Sequence, residues 1–192
     1  MSFARCAWLN APGTWELVDE GLRVVTDART DFWRETHYGF TRDNGHFFGC
    51  EVAGGFTAQL RVRARYEALY DQAGIMVRLD ARNWIKAGIE NSDGQAHLSS
   101  VLTLDRSDWA TGTYDGDPSD FWVRASVSDG VIRLQVSADR RRWPLARLAP
   151  FPKAVSYLVG PMCCTPERAG LEVVFSAFEV TPPLGKELHD LS

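Results

Sequence analysis

The constraint that most narrows what this chain can fold into is a period of two that runs through almost every segment. No window of a dozen residues sustains the i, i+3, i+4, i+7 apolar spacing of a helix, so the reading is nearly all β. Strands are expected at roughly 15–19, 22–27, 46–52, 56–66, 73–80, 84–91, 97–104, 121–128, 131–138, 155–162 and 171–181. Many short strands between turn signals mean a sandwich or a barrel. With 192 residues, one core is expected, built as a single domain over 1–182 with a C-terminal tail at 183–192.

Two dipeptides set register by themselves. Asp93-Gly94 suits a two-residue type I′ turn, whose central residues both take positive φ. Counting outward, Glu90 faces His97, Gly88 faces Ser99, Lys86 faces Val101 and Trp84 faces Thr103, while Ile89, Ala87 and Ile85 meet Leu98, Ser100 and Leu102 on the other side. The apolar set falls on one face, which the turn rule did not require. Asp129-Gly130 does the same for 121–128 and 131–138: Val127, Ala125 and Val123 meet Ile132, Leu134 and Val136, and the outer side carries Trp122, Arg124, Ser126, Arg133, Gln135 and Ser137. A third hairpin through Ala81-Arg82-Asn83 places Met76 and Arg78 on the Lys86 face, with Arg78 directly across from Lys86. Half-buried antiparallel sheets alternate in this way.

Charge and cysteine content exclude several function classes. A net charge of −4, with Arg140-Arg141-Arg142 as the one basic run, gives no phosphate-binding face, so nucleic acid is not an expected partner. Neither an apolar leader nor a membrane-length apolar run is present, so no membrane partner is expected and a cytoplasmic location is the default. Cys6, Cys50, Cys163 and Cys164 lack metal spacing and read as reduced thiols, the last two at a strand end. His37 and His46 do not combine into a metal site, and Gly54-Gly55 precede a strand rather than a helix. No cofactor and no metal are expected.

Several ordered motifs resemble one family. Tyr70-Asp71-Gln72-Ala73-Gly74-Ile75-Met76-Val77-Arg78, Trp84-Ile85-Lys86-Ala87-Gly88-Ile89-Glu90, Leu98-Ser99-Ser100-Val101-Leu102-Thr103 and Ser107-Asp108-Trp109 look like the domain of unknown function 1349 family, a regulation-of-enolase-like group in the concanavalin A-like lectin/glucanase superfamily. Val136-Ser137-Ala138-Asp139 with Trp143, Gly160-Pro161-Met162-Cys163-Cys164-Thr165-Pro166 and the strand after Gly170 agree, so the likeness spans roughly 30–181. Where the wider fold often has Asp-Gly before the late Trp, this chain has Asp139-Arg140, so that turn is of another type. The resemblance implies a two-sheet antiparallel jelly-roll sandwich of the concanavalin A-like lectin/glucanase fold, with a concave face that holds sugars in relatives of the fold. Fold alone carries no function across.

The candidate site follows from that face. Indole and phenol rings stack on the C–H faces of sugars, and planar polar groups meet their hydroxyls. The expected ligand residues are Trp33, Tyr70, Trp84 and Trp109 for stacking, with Gln72, Lys86, Glu90, His97, Ser99 and Arg124 for hydroxyls or an acidic group. The leading reading is noncatalytic binding of a carbohydrate or similar polyhydroxylated ligand. A protein-interaction or regulatory domain is the alternative, with a protein partner. A glycoside hydrolase using Glu90, with Asp71 as second carboxyl, comes third, because hydrolysis needs two carboxyls roughly 5–9 Å apart and no strand shows an acidic triplet. Asp115, Asp117 and Asp120 read as turn-forming, and Lys86 is expected to pair with Glu90. Residues 106–120 read as a loop whose placement decides whether the face is open or covered.

Overall fold

The computed structural model describes residues 3–19 and 21–192. Its strands are β1 (Cys6–Leu9), β2 (Thr14–Val18), β3 (Gly21–Val25), β4 (Phe32–Arg34), β5 (Thr41–Asp43), β6 (His46–Ala53), β7 (Phe56–Ala64), β8 (Gln72–Arg78), β9 (Asn83–Ser92), β10 (Gln95–Leu104), β11 (Arg106–Gly112), β12 (Asp120–Ser128), β13 (Val131–Ser137), β14 (Leu145–Pro150), β15 (Ser156–Cys164) and β16 (Glu172–Thr181). Two seven-stranded antiparallel sheets result, ordered β1-β6-β15-β8-β9-β10-β11 and β14-β13-β12-β7-β16-β3-β2. The fold class is an all-β sandwich, as the sequence indicated. Among the described residues no helix is long and apolar enough to cross a membrane.

Alternation explains the core. Ile75, Val77, Ile85, Ala87 and Ile89 from the first sheet face Leu60, Val62, Val123, Ala125 and Leu134 from the second in one continuous apolar layer. Both Asp-Gly hairpins fold in the register counted from the sequence. Ser92 pairs with Gln95 and Glu90 with His97, Ser128 pairs with Val131 and Ala125 with Leu134. Asp93 and Asp129 both take φ of 52°, followed by Gly94 at 80° and Gly130 at 81°, as a type I′ turn demands.

The third hairpin is shifted. Arg78 pairs with Trp84 and Met76 with Lys86, two residues away from the expected register, because the turn closes one residue earlier, with the Leu79 N–H donating to the Asn83 carbonyl at 2.9 Å. An even shift preserves the faces, so no like-charged pair forms across the strands. Arg78 instead donates to Asp43 through its two terminal guanidinium nitrogens at 2.7 and 2.8 Å.

Other expectations are corrected. Cys6 and Cys50 lie directly opposite in the β1–β6 ladder and form a disulfide, so they are not reduced thiols; four-residue β1 was too short to be recognised, and with it went the evidence for their opposition. Cys163 and Cys164 do end a strand, buried and unpaired. The stretch 106–120 is not all loop: its first seven residues form β11, an edge strand exposed on both faces at all but Ser107, which leaves no alternation to read. The short strands β4, β5 and β14 were also outside the expected set.

A second, smaller apolar cluster lies on the outer face of the first sheet: Phe32, Trp33, Phe47, Met76, Trp84, Val101, Met162 and Cys164. The β4–β5 hairpin supplies Phe32 and Trp33 to it, and so covers part of a face that sequence reading left open.

Candidate functional site

The central strands β8, β9 and β10 set Gln72, Lys86, Glu90 and Ser99 on that outer face by simple alternation. Gly74 and Gly88 pair directly between them, where the two backbones approach so closely that a Cβ at either would run into backbone, the Ala87 carbonyl in one case and the Ala73 carbonyl in the other. The segment before β4 then brings Asp31 over the sheet. The Asp31 carbonyl accepts the N–H groups of Asn44 and Gly45 at 3.0 and 2.9 Å, and its N–H donates to Asn44 Oδ1 at 3.0 Å, so its position is held from both ends.

Together these pieces enclose a cleft of about 150 Å³. Its floor is Asp31, Gln72, Lys86 and Glu90; its walls are Trp33, Tyr38, Phe40, Tyr70 and Trp109; Arg42 and Glu167 stand beside them. Rings meet edge to face, with Trp33–Tyr38 centroids 5.7 Å apart and Tyr70–Trp109 6.3 Å, while Tyr38 and Phe40 stack at 5.4 Å. The Tyr38 and Tyr70 hydroxyls share a hydrogen bond of 3.0 Å. Tyr70 sits at φ 63°, and Glu35 and His37, in the loop that presents Tyr38, at 60° and 61°. Left-handed non-glycine residues are costly and collect where tertiary structure holds a surface in place.

On the floor, Lys86 Nζ donates to Asp31 Oδ1 at 2.9 Å with both side chains largely buried. Ser99 donates to Glu90 Oε2 at 3.0 Å and accepts from Trp109 Nε1 at 3.1 Å, which ties a wall to the floor. Burial opposes the charge on Lys86, but Asp31, with smaller help from Cys164 and Glu90, outweighs it and raises the ammonium above its ordinary 10.5. Burial also lifts the Glu90 carboxyl above 4.5, against the opposing pull of Lys86 and the Ser99 hydrogen bond. The hydrogen bond to Tyr38, then burial, pushes Tyr70 up to about 12.

The raised Glu90 value has a sign. A carboxyl raised in the native state contributes stability that is complete below 4.5 and is lost as pH climbs through the native value. Glu90→Gln, which keeps an acceptor for Ser99 and cannot ionise, is therefore expected to gain stability relative to the parent as pH rises from about 4 toward 8. Urea unfolding across that range checks it, and a constant difference refutes it.

Six of the expected ligand residues do converge: Trp33, Tyr70, Gln72, Lys86, Glu90 and Trp109 line the cleft. Ser99 touches it through Glu90 and Trp109. Three do not join them. Trp84 is 0% exposed, packed against Phe32 at 6.0 Å, so its ring cannot meet a ligand. His97 faces Glu90 across the strands but lies outside the lining, with Nε2 enclosed and unpartnered. Arg124 is on β12, in the other sheet, over the Trp143 ring at 4.2 Å. Lys86 pairs with Asp31, 55 residues away in sequence, rather than with Glu90, whose Oε2 accepts from Ser99. Asp71 is fully buried under Arg168 and takes no part in the cleft. Sequence reading missed Asp31, Tyr38, Phe40, Arg42 and Glu167; the dense aromatic run Trp33 to Phe40 was the one available signal for two of them. Among the described residues no three His, Cys, Asp or Glu side chains gather as metal ligands.

Comparisons with known proteins bear on the family and the fold. A family model described as "Protein of unknown function (DUF1349)" matches residues 8–183. The chain is 60% identical over 185 residues to a Saccharomyces cerevisiae protein called "Regulation of enolase protein 1", covering 96% of this chain and 93% of that one. The crystal structure of a functionally unknown protein from Saccharomyces cerevisiae superposes with a TM-score of 0.95 at 57% identity, covering 96% of this chain and 100% of that one. The carbohydrate binding module CBM66 from Bacillus subtilis shares the fold with a TM-score of 0.57 at 13% identity, over 94% of this chain and 98% of that one.

Proposed function

Since the chain belongs to the DUF1349 family, whose description assigns no activity, the reading rests on the site itself, and we propose that the cleft is a noncatalytic binding site for a small polyhydroxylated ligand such as a monosaccharide. The observation that carries it is the pairing of aromatic walls with a buried floor that offers donors and acceptors side by side. Lys86 uses one of its three N–H groups, on Asp31, while Asp31 Oδ2 and Glu90 Oε1 accept nothing from the described residues. Neighbouring hydroxyls of a sugar need such a set: an ammonium for one oxygen and a carboxylate for the next O–H. At about 150 Å³ the cleft falls short of the roughly 300–1,000 Å³ of drug-sized sites, which selects a single ring. The shared fold with a carbohydrate binding module supports the same direction.

Calorimetric titration with a panel of monosaccharides and cyclic polyols tests it. At least one is expected to bind, with loss of about tenfold or more in Trp109→Ala, in line with the 1.4 kcal/mol per decade of affinity. No binding across the panel, or binding indifferent to Trp109→Ala, rejects the reading. The relative named for regulation of enolase supports a second reading, a regulatory domain with a protein partner. Capture of a stoichiometric protein that Trp109→Ala abolishes and no polyol displaces would favour that one instead.

A further inference from the structure

The outer face of the second sheet carries a buried layer that the cleft does not explain. Arg124 on β12 and Arg133 on β13 are only 6% and 8% exposed. The register pairs Arg124 with Gln135 and Ser126 with Arg133, so the two guanidiniums are diagonal neighbours on one face. The chain beyond β16 lies across them: the Leu184 N–H donates to Thr57 Oγ1 at 2.8 Å, the Trp143 N–H donates to the Leu191 carbonyl at 2.8 Å, and Arg133 donates to the Lys186 and Leu188 carbonyls at 3.1 and 3.0 Å.

Neither arginine has a carboxylate partner among the described residues. The side-chain bond of Arg124 is Nε to Gln135 Oε1 at 3.1 Å, and its Nη2 is enclosed with no acceptor. Arg133 is met by backbone carbonyls through its terminal nitrogens, and its Nε is likewise enclosed and unmatched. Asp190 is the acid whose field reaches both guanidiniums, yet its Oδ1 is taken by the N–H and hydroxyl of Ser192, at 2.9 and 2.7 Å. Two like charges in one covered layer, each with an unsatisfied donor, are a standing electrostatic cost. Guanidinium forks match the spacing of oxygens on a phosphate or carboxylate, and such charge-assisted bonds are the strong ones.

We propose that this layer is a binding site for an oxyanion, carried as a phosphate or a carboxylate, held between Arg124 and Arg133 beneath the C-terminal segment. The anion supplies the acceptors that Arg124 Nη2 and Arg133 Nε lack, and adds negative charge beside that of Asp190, whose Oδ1 is held by Ser192 and makes no hydrogen bond to either guanidinium. The site is on the opposite sheet from the cleft and stands independently of it.

The test is a titration of the full chain with inorganic phosphate and, separately, acetate, at ionic strength held constant with sodium chloride. Two readouts are followed: the arginine Nε–H resonances and the midpoint of thermal unfolding. One or both anions are expected to shift the Arg124 and Arg133 resonances saturably and raise the midpoint, with apparent affinity at least tenfold weaker in Arg124→Met. A response to phosphate alone assigns a phosphoryl ligand, and to acetate alone a carboxylate. The proposal fails if neither anion moves those two resonances, if chloride at matched concentration does the same, or if Arg124→Met responds undiminished. Should Arg124→Met not fold, the resonance shifts of the unaltered protein decide the matter.

Discussion

Replacing Asp31 with alanine is expected to destabilise the protein by about 3–5 kcal/mol, because the change leaves the Lys86 ammonium buried with its ion-pair partner gone. At this chain length each kcal/mol moves the thermal midpoint by about 2–4 °C, so a fall of roughly 10 °C is anticipated. Asp31→Asn combined with Lys86→Met should recover most of the loss, since neither charge then remains in the floor and the Phe32 N–H keeps its side-chain acceptor. The pH dependence adds a check on the cause. In the parent, the raised Lys86 value contributes stability that is complete below 10.5 and is lost as pH rises through the native value. Without Asp31 burial acts on Lys86 with less opposition, the charged form becomes the disfavoured one, and the deficit of the alanine variant should narrow as pH approaches 10.5. Chemical unfolding at pH 7 and near pH 10 measures both effects. A loss under about 1 kcal/mol, or a deficit that widens with pH, would sink the account of the floor.

Trp84 and Trp109 should part company when each is changed to alanine. Trp84 is wholly enclosed against Phe32 in the smaller apolar cluster, and truncating it is expected to cost about 3–5 kcal/mol through lost burial and the cavity left behind. Trp109 is 38% exposed on the edge strand β11, and its loss removes one hydrogen bond to Ser99, a change of about 1 kcal/mol. Ligand response should follow the opposite order: weakened about tenfold or more in Trp109→Ala, retained in Trp84→Ala at a temperature where that variant is folded. Equal stability costs would mean that the β4–β5 hairpin does not cover Trp84 in solution. Equal ligand responses would mean that Trp109 is not a wall of the site.

The difference between those two indoles shows where sequence reading stops. Trp84 was placed on the correct face of its strand, because the Asp93-Gly94 turn and the two-residue period fix parity along β9 and β10. Its exposure was misjudged because exposure is settled by what lies above the sheet, and the β4–β5 hairpin that lies there is two strands of three residues, too short to carry a period. Arg124 failed in a related way: its own hairpin was read in correct register, but nothing local says which of the two sheets that hairpin joins. For the third hairpin the parity was right and the partner two residues off, since Leu79 to Arg82 contains no dipeptide that commits to one turn length.

What the amino-acid order determined unaided is whatever depends on a few adjacent residues: the β class, two turns with their registers, the inward and outward sides of each long strand, and hence the alignment of Gln72, Lys86, Glu90 and Ser99 on one surface. Such features are short-range, so the interactions that specify them can be counted along the chain. Only the tertiary structure decided that Lys86 answers to Asp31 rather than Glu90, that Cys6 meets Cys50, that Tyr38 and Phe40 complete the walls, and that Arg124 and Arg133 share a covered layer with the C-terminal segment. Each of these joins segments distant in sequence, whose meeting is fixed by how two sheets and one small hairpin stack, a property of the whole packing rather than of any stretch of it.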